Sequence, residues 1–262
     1  MKERGSNQTD FSDQIDLDYR FWEIDLLRGM AVVMMVCFHV IYDLNYFGLH
    51  EFYIHSGLWP SVARFIATFF LLLVGVSLHL SYSRNLLRGE VKFSKYLRRG
   101  LFIFFWGMVI TLTTWLLVEN FIVFGILHLI GVSVILVYPF LRFYWMALLQ
   151  GGMLLYLDRF LDGYTFDYPW FLWLGLIPKN FHSLDYFPII PWFGMIMVGL
   201  FLGRSLYPDY KRRLSFRAHS PPSSTKLICL LGKNSLLIYL AHQPLILCIL
   251  YFLCTQDVGH IL

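Results

Sequence analysis

The sequence predicts an all-α, polytopic transmembrane helical bundle of about seven spans with its N-terminus inside, and three observations carry that prediction. The 262 residues are 58% hydrophobic and 19% aromatic, with a mean hydropathy of +0.60. Charged residues are held to 15%, where soluble domains carry about 25%. Apolar windows of the ~20 residues that a helix needs to cross the hydrocarbon core recur along the chain, and Gly100 to Val118 is free of any charge. A soluble globular class is excluded. Residues 25–262 form a single transmembrane domain behind a polar tail, residues 1–24, expected in the cytoplasm. The tail lacks the basic stretch and short apolar core of a cleaved signal.

The elements follow in order. Leu26 to Tyr46 is the first span, with its charges near the two ends, and Ser61 to Tyr82 is interrupted only by Arg64. Gly100 to Val118 and Phe121 to Leu141 carry no charge. Phe143 to Leu157 is shorter and spans if it extends at both ends. Ile189 to Tyr207 and Ser235 to Leu253 complete the set. Tyr168 to Pro178 is apolar but short, covering roughly 16 Å as a helix, about half of the core.

Loop charge fixes the count. The loops Ser83 to Arg99 and Arg204 to Lys226 hold six Lys or Arg each, so both are expected in the cytoplasm. They share a side only if an even number of spans separates them. Tyr168 to Pro178 is therefore read as re-entrant or interfacial, which gives seven spans and an outside C-terminus; counting it as a span would give eight. No inverted pair of halves of the kind that marks many transporters is visible.

Several polar residues fall inside these spans, where ionisable groups are costly and by default functional. His39 and His128 each lie seven residues from the outer end of their spans, roughly 10 Å deep at 1.5 Å per residue. Asp43, four residues after His39, shares its helix face and could hold the imidazole tautomer that leaves the other nitrogen free as a base. His128 reads either as a second donor or as a packing histidine between Gly125 and Gly131, which allow close helix approach. Arg28, near the inner end of the first span, either snorkels to the interface or pairs with ligand phosphates. His55 and Asp185 lie in outer loops, as solvated surface or as substrate contacts. His242, in Tyr-Leu-Ala-His-Gln-Pro, is expected nearer the inner face of the last span, capping a Pro244 kink or lining a donor tunnel. The four cysteines show no metal or disulfide spacing. A Gly-rich phosphate loop, His-Glu-x-x-His and Gly-x-Ser-x-Gly are absent from the sequence.

Asp25-Leu-Leu-Arg-Gly-Met-Ala31 with His39, then Phe69-Phe70 through Gly75-Val-Ser77, resembles the opening of the membrane acyltransferase-3 proteins. Phe124 to Gly131, Asp185-Tyr-Phe-Pro-Ile-Ile-Pro-Trp-Phe-Gly194 and Leu231 to Tyr239 resemble the small prokaryotic relatives of heparan-alpha-glucosaminide N-acetyltransferase, a branch of that broad group. These blocks stand in order over nearly the whole chain. The heparan branch tends to carry Asn at the position of His39 and uses a loop histidine in a His-x-x-Trp setting; here His55 precedes Trp59 by four. The catalytic histidine is thus His39 or His55, with His39 favoured.

The resemblance implies a multi-pass cell-membrane enzyme that moves an acetyl or acyl group from cytosolic acyl-CoA to a sugar hydroxyl or amine. Acetyl-CoA is the co-substrate, with no permanently bound cofactor and no metal. The expected partners are acyl-CoA, a small or lipid-linked sugar acceptor and membrane lipid, without nucleic acid; monomer and homodimer both stay open. His39 as base, Asp43 as its orienter and His128 as a second donor would serve the transfer, with Arg28 on the donor phosphates and Asp185, His55 and His242 as substrate contacts. The alternative is a transporter or lipid flippase using the same groups as a His/Asp relay.

Overall fold

The computed structural model describes residues 16–50, 57–117, 121–161, 163–166, 168–179, 181–213 and 220–259. Its helices are α1 (Trp22–Tyr46), α2 (Trp59–Leu87), α3 (Phe93–Leu117), α4 (Ile126–Leu136), α5 (Tyr144–Leu161), α6 (Ile189–Leu206), α7 (Lys226–Lys233) and α8 (Ser235–Gly259). No strand occurs among the described residues. α1, α2, α3, α6 and residues Ser235–Leu253 of α8 are long and apolar enough to cross a membrane. The chain is a multi-pass membrane protein.

Small residues set the register of the bundle. A Cβ on Gly199 would meet Leu72 of α2, and one on Gly203 would meet Val76 and His79, so α2 and α6 run parallel. Gly151 of α5 faces Gly194, Met197 and Val198, and Gly194 in turn faces Leu154 and Leu155, so α5 and α6 are antiparallel. α3 and α4 are also antiparallel, with Gly100 against Gly131 and Gly107 against His128. Glycine permits this close approach because helix association within lipid depends on packing rather than on expulsion of water. The core lies between α2, α4 and α6, where Leu71, Leu129, Ile196, Met197 and Leu200 are fully enclosed. Leu101, Phe105, Leu112 and Leu116 of α3 face outward.

α1 pairs with α7 and then with α8, all running the same way. At one end Gly29 abuts the Ile228 carbonyl and Gly232 the Asp25 carbonyl; ten residues further along both helices, His39 meets His242. The start of α1 is fastened to the C-terminal end of α6. Arg212 donates to Glu23 at 2.6 Å and 2.7 Å and to the Tyr19 hydroxyl at 2.6 Å, and Phe21 packs against Tyr207 and Tyr210. The first turn of α1 and the last turns of α2 and α6 therefore gather at one end of the bundle, which also carries the basic residues flanking α2, α3 and α6.

Two predicted segments differ from expectation. Phe121 to Leu141 is not one helix: residues 121–125 are extended, α4 begins only at Ile126, and Tyr138–Phe140 forms a 3-10 turn. The extended stretch is tolerated because residues 183–187 satisfy its backbone polar groups. Phe187 N–H donates to the Phe124 carbonyl at 2.8 Å, Val123 N–H to Ser183 Oγ at 3.3 Å and Ile126 N–H to Asp185 Oδ2 at 3.2 Å. Tyr168 to Pro178 folds as a 3-10 turn at Pro169–Phe171 followed by further turns, and docks on the start of α6 through Ile189 N–H to the Trp173 carbonyl and Ile190 N–H to the Leu174 carbonyl.

Candidate functional site

The seam between α1 and α8 holds one group of polar side chains. The rings of His39 and His242 lie 4.9 Å apart between centroids, inclined at 60°. One turn further along α1, the buried Asp43 carboxylate accepts from Gln243 Nε2 at 2.9 Å. Asp43 thus ties α1 to α8. The structure records this bond and not the expected one to His39. His242 lies at the level of His39, well along α1 and away from its first turn; the expected place near the inner face is corrected because α7 occupies that level beside the start of α1.

The hydrogen bonding of His242 defines its tautomer. Its Nδ1 lies 2.6 Å from the Tyr239 carbonyl, an acceptor only, so Nδ1 carries the proton and Nε2 keeps its lone pair. That Nε2 is buried and has no hydrogen-bond partner among the described residues. A buried lone pair left open beside a second imidazole is suited to accept a proton.

A second group surrounds the start of α4. His128 sits at the third position of the helix and accepts the Gly125 N–H on Nδ1 at 3.2 Å, the reciprocal half of a capping box. Its Nε2–H is then the donor toward Thr111 Oγ1 at 3.5 Å, while Thr111 itself donates to the Ile122 carbonyl at 2.7 Å. Both nitrogens are engaged in holding the extended-to-helix turn. The expectation of His128 as a second donor to substrate gives way here to a capping role, because Gly125 N–H has no carbonyl to receive it. Asp185 points at the same turn. Its Oδ2 accepts from Ile126 N–H, and a Cβ on Gly125 would sit 2.5 Å from that oxygen. Burial pushes the Asp185 carboxyl up to about 6 against the pull of the Ile126 N–H.

Tyr239 connects the two groups. Its ring lies 5.6 Å from that of His242, and it lines a small recess together with His128, Asp185, Gly107 and Gly125. The polar line therefore runs from Asp43 and Gln243 through His39, His242 and Tyr239 to Asp185 and His128. Tyr239 and Gln243 were not singled out from the sequence as site residues, although Tyr, His and Gln at i, i+3 and i+4 of an apolar helix share one face.

Arg28 stands apart, at the opposite end of α1. Its Nη1 is 3.2 Å from Asp25 Oδ1 and 3.5 Å from the Gly232 carbonyl, and Arg20 holds the same buried carboxylate at 2.6 Å and 2.9 Å. Two guanidinium groups on one carboxylate brace the first turns of α1, and Arg28 alone of the two reaches α7, through the Gly232 carbonyl. His55 lies outside the described residues.

Residues 20–244 match the family model described as heparan-alpha-glucosaminide N-acetyltransferase, catalytic, and the chain belongs to that family. It is a membrane transferase of the acetyltransferase type. Comparison with curated proteins and with solved structures gives no match.

Proposed function

We propose that the protein transfers an acetyl or acyl group from cytosolic acyl-CoA to a sugar hydroxyl or amine presented at the far face of the cell membrane. The observation that carries this reading is the α1–α8 seam, where His242 Nε2 keeps an unpartnered lone pair beside the His39 ring. Transfer from a thioester needs a base for the incoming nucleophile and a donor for the developing oxyanion. His39, the less enclosed ring, takes the proton from the acceptor, and His242 Nε2 accepts from the other N–H of His39. In this arrangement a second imidazole does what a carboxylate does in a hydrolase triad. The acceptor oxygen or nitrogen bonds the acyl carbon, the carbon–sulfur bond breaks, and the proton held by the histidines leaves with the CoA thiolate.

Seven crossings with the N-terminus inside belong to the same reading. The parallel run of α2 and α6 supports an even number of crossings between their ends, which Tyr168 to Pro178 as a further span would break. The 11 residues of α4 complete a crossing with the extended stretch before them and the 3-10 turn after. The basic ends of α2, α3 and α6 then face the cytoplasm, and the histidine seam lies toward the other face, so the donor's acyl arm must cross much of the bundle.

The test is release of free CoA by the purified protein from acetyl-CoA with a panel of amino and hydroxyl sugars. CoA release that needs both a sugar and His39 supports acyl transfer. Sugar or lipid movement across proteoliposomes without any CoA release would instead support the transporter or flippase reading.

A further inference from the structure

α2 and α3 leave a second, larger cavity at the basic end of the bundle, about 390 Å³ in volume, which the transfer mechanism does not use. Its floor is made of Asn85 and Tyr96, only 1% and 4% exposed. Asn85 Oδ1 accepts from Lys95 Nζ at 2.8 Å, yet its Nδ2 and the Tyr96 hydroxyl have no hydrogen-bond partner among the described residues. Asn85 and the Tyr96 hydroxyl are neighbours in this floor. Unsatisfied buried donors are costly, and here two of them share one cavity.

The mouth supplies the charge. Lys95, Arg98 and Arg99 line it, all exposed, and among the described residues no acidic side chain lines it with them. Three cations over two neutral donors form a receptor for a compact anion rich in acceptors, and guanidinium forks suit phosphate geometry. Phe102 closes the remaining wall. Beyond it the face of α3 continues apolar and outward through Leu101, Phe105 and Met108, a surface that fits acyl chains and not a water-soluble nucleotide.

We propose that this cavity binds the phosphate headgroup of an anionic phospholipid from the leaflet at the basic end, with the acyl chains along α3. Asn85 Nδ2 and the Tyr96 hydroxyl donate to the phosphate oxygens, and Lys95, Arg98 and Arg99 neutralise the charge. The proposal is independent of the acyltransfer reading and needs only that α3 crosses the membrane.

The test is lipid retention by the full-length protein from detergent, read by native mass spectrometry with phosphatidylglycerol and phosphatidylcholine as probes. Wild type should retain phosphatidylglycerol in preference to phosphatidylcholine. Each Lys or Arg near a membrane surface contributes about fivefold to anionic lipid binding, so Arg98→Ala/Arg99→Ala should weaken retention about 25-fold, and Tyr96→Phe, which removes only the hydroxyl, should weaken it a few-fold. The thermal midpoint in a detergent free of lipid guards against misfolding and should be unchanged in both variants. Equal retention by wild type and both variants would overturn the proposal. So would displacement of phosphatidylglycerol by 3′,5′-ADP in wild type, because the cavity would then take a soluble nucleotide phosphate.

Discussion

In the proposed transfer His39 and His242 divide the work at the residue scale, and single substitutions separate their roles from that of His128. A positioned base contributes about 10²- to 10⁴-fold, so His39→Ala and His242→Ala should each lower kcat by that order in steady-state CoA release, with little change in thermal midpoint. Their combination should cost no more than either alone, since the two act as one unit. His128→Ala should instead lose about 1–3 kcal/mol of stability, because the buried Gly125 N–H loses its acceptor; thermal unfolding in detergent checks it. Asp185 gives a pH signature. Its folded carboxyl is raised to about 6 from 3.8, so its stabilising contribution is complete below pH ~4 and is lost as pH rises through ~6. Asp185→Asn keeps an acceptor for Ile126 N–H and should flatten the decline of the thermal midpoint between pH 4 and pH 7. Each of these histidines was visible in the sequence as a polar group within an apolar run. What the sequence withheld was pairing: the contact of His39 with His242 joins helices far apart in the chain, and Asp43 shares a face with His39 yet bonds across the seam to Gln243.

At the scale of elements, the long helices were legible to within a few residues at most ends, since an uncharged apolar run of span length has few other outcomes. α4 was not, because nothing in Phe121 to Gly125 breaks a helix before the glycine itself. The extended form of that stretch depends on hydrogen bonds to residues 183–187, a tertiary partner that local propensity does not encode. α7 was also missed. Its Lys226–Lys233 stretch is eight residues long, too short to register as a span, and it joins α1 through backbone contact at Gly29 and Gly232. A Cβ at either glycine would overlap a facing carbonyl, so Gly29→Ala and Gly232→Ala should each cost about 1–3 kcal/mol as overpacking does. Differential unfolding with and without each substitution measures this. α5 offers a control: its Gly152 faces open space, and Gly152→Ala should leave the midpoint unchanged or slightly raised.

The whole molecule is polarised, with fastening charges and a basic cavity at one end and the histidine seam toward the other. Loop charge and composition made this asymmetry readable, and the parallel α2–α6 pair agrees with the even spacing of the two basic loops. In a cysteine-free background, Glu90→Cys and Ser220→Cys should label from the cytoplasmic side of inverted vesicles and Tyr164→Cys from the other; an eighth crossing at Tyr168 to Pro178 would put Ser220 opposite Glu90. In the proposed transfer this polarity has a mechanistic meaning, because a donor entering from the basic end would reach an acceptor on the far side only through the seam. The most direct measurement is therefore sugar-dependent release of free CoA from acetyl-CoA by wild-type, His39→Ala and His242→Ala proteins purified in parallel. Release by wild type, lowered at least about 100-fold in both variants while all three remain folded, is the predicted result. Undiminished release by His39→Ala and His242→Ala, or no release by folded wild type with any amino or hydroxyl sugar, would contradict it.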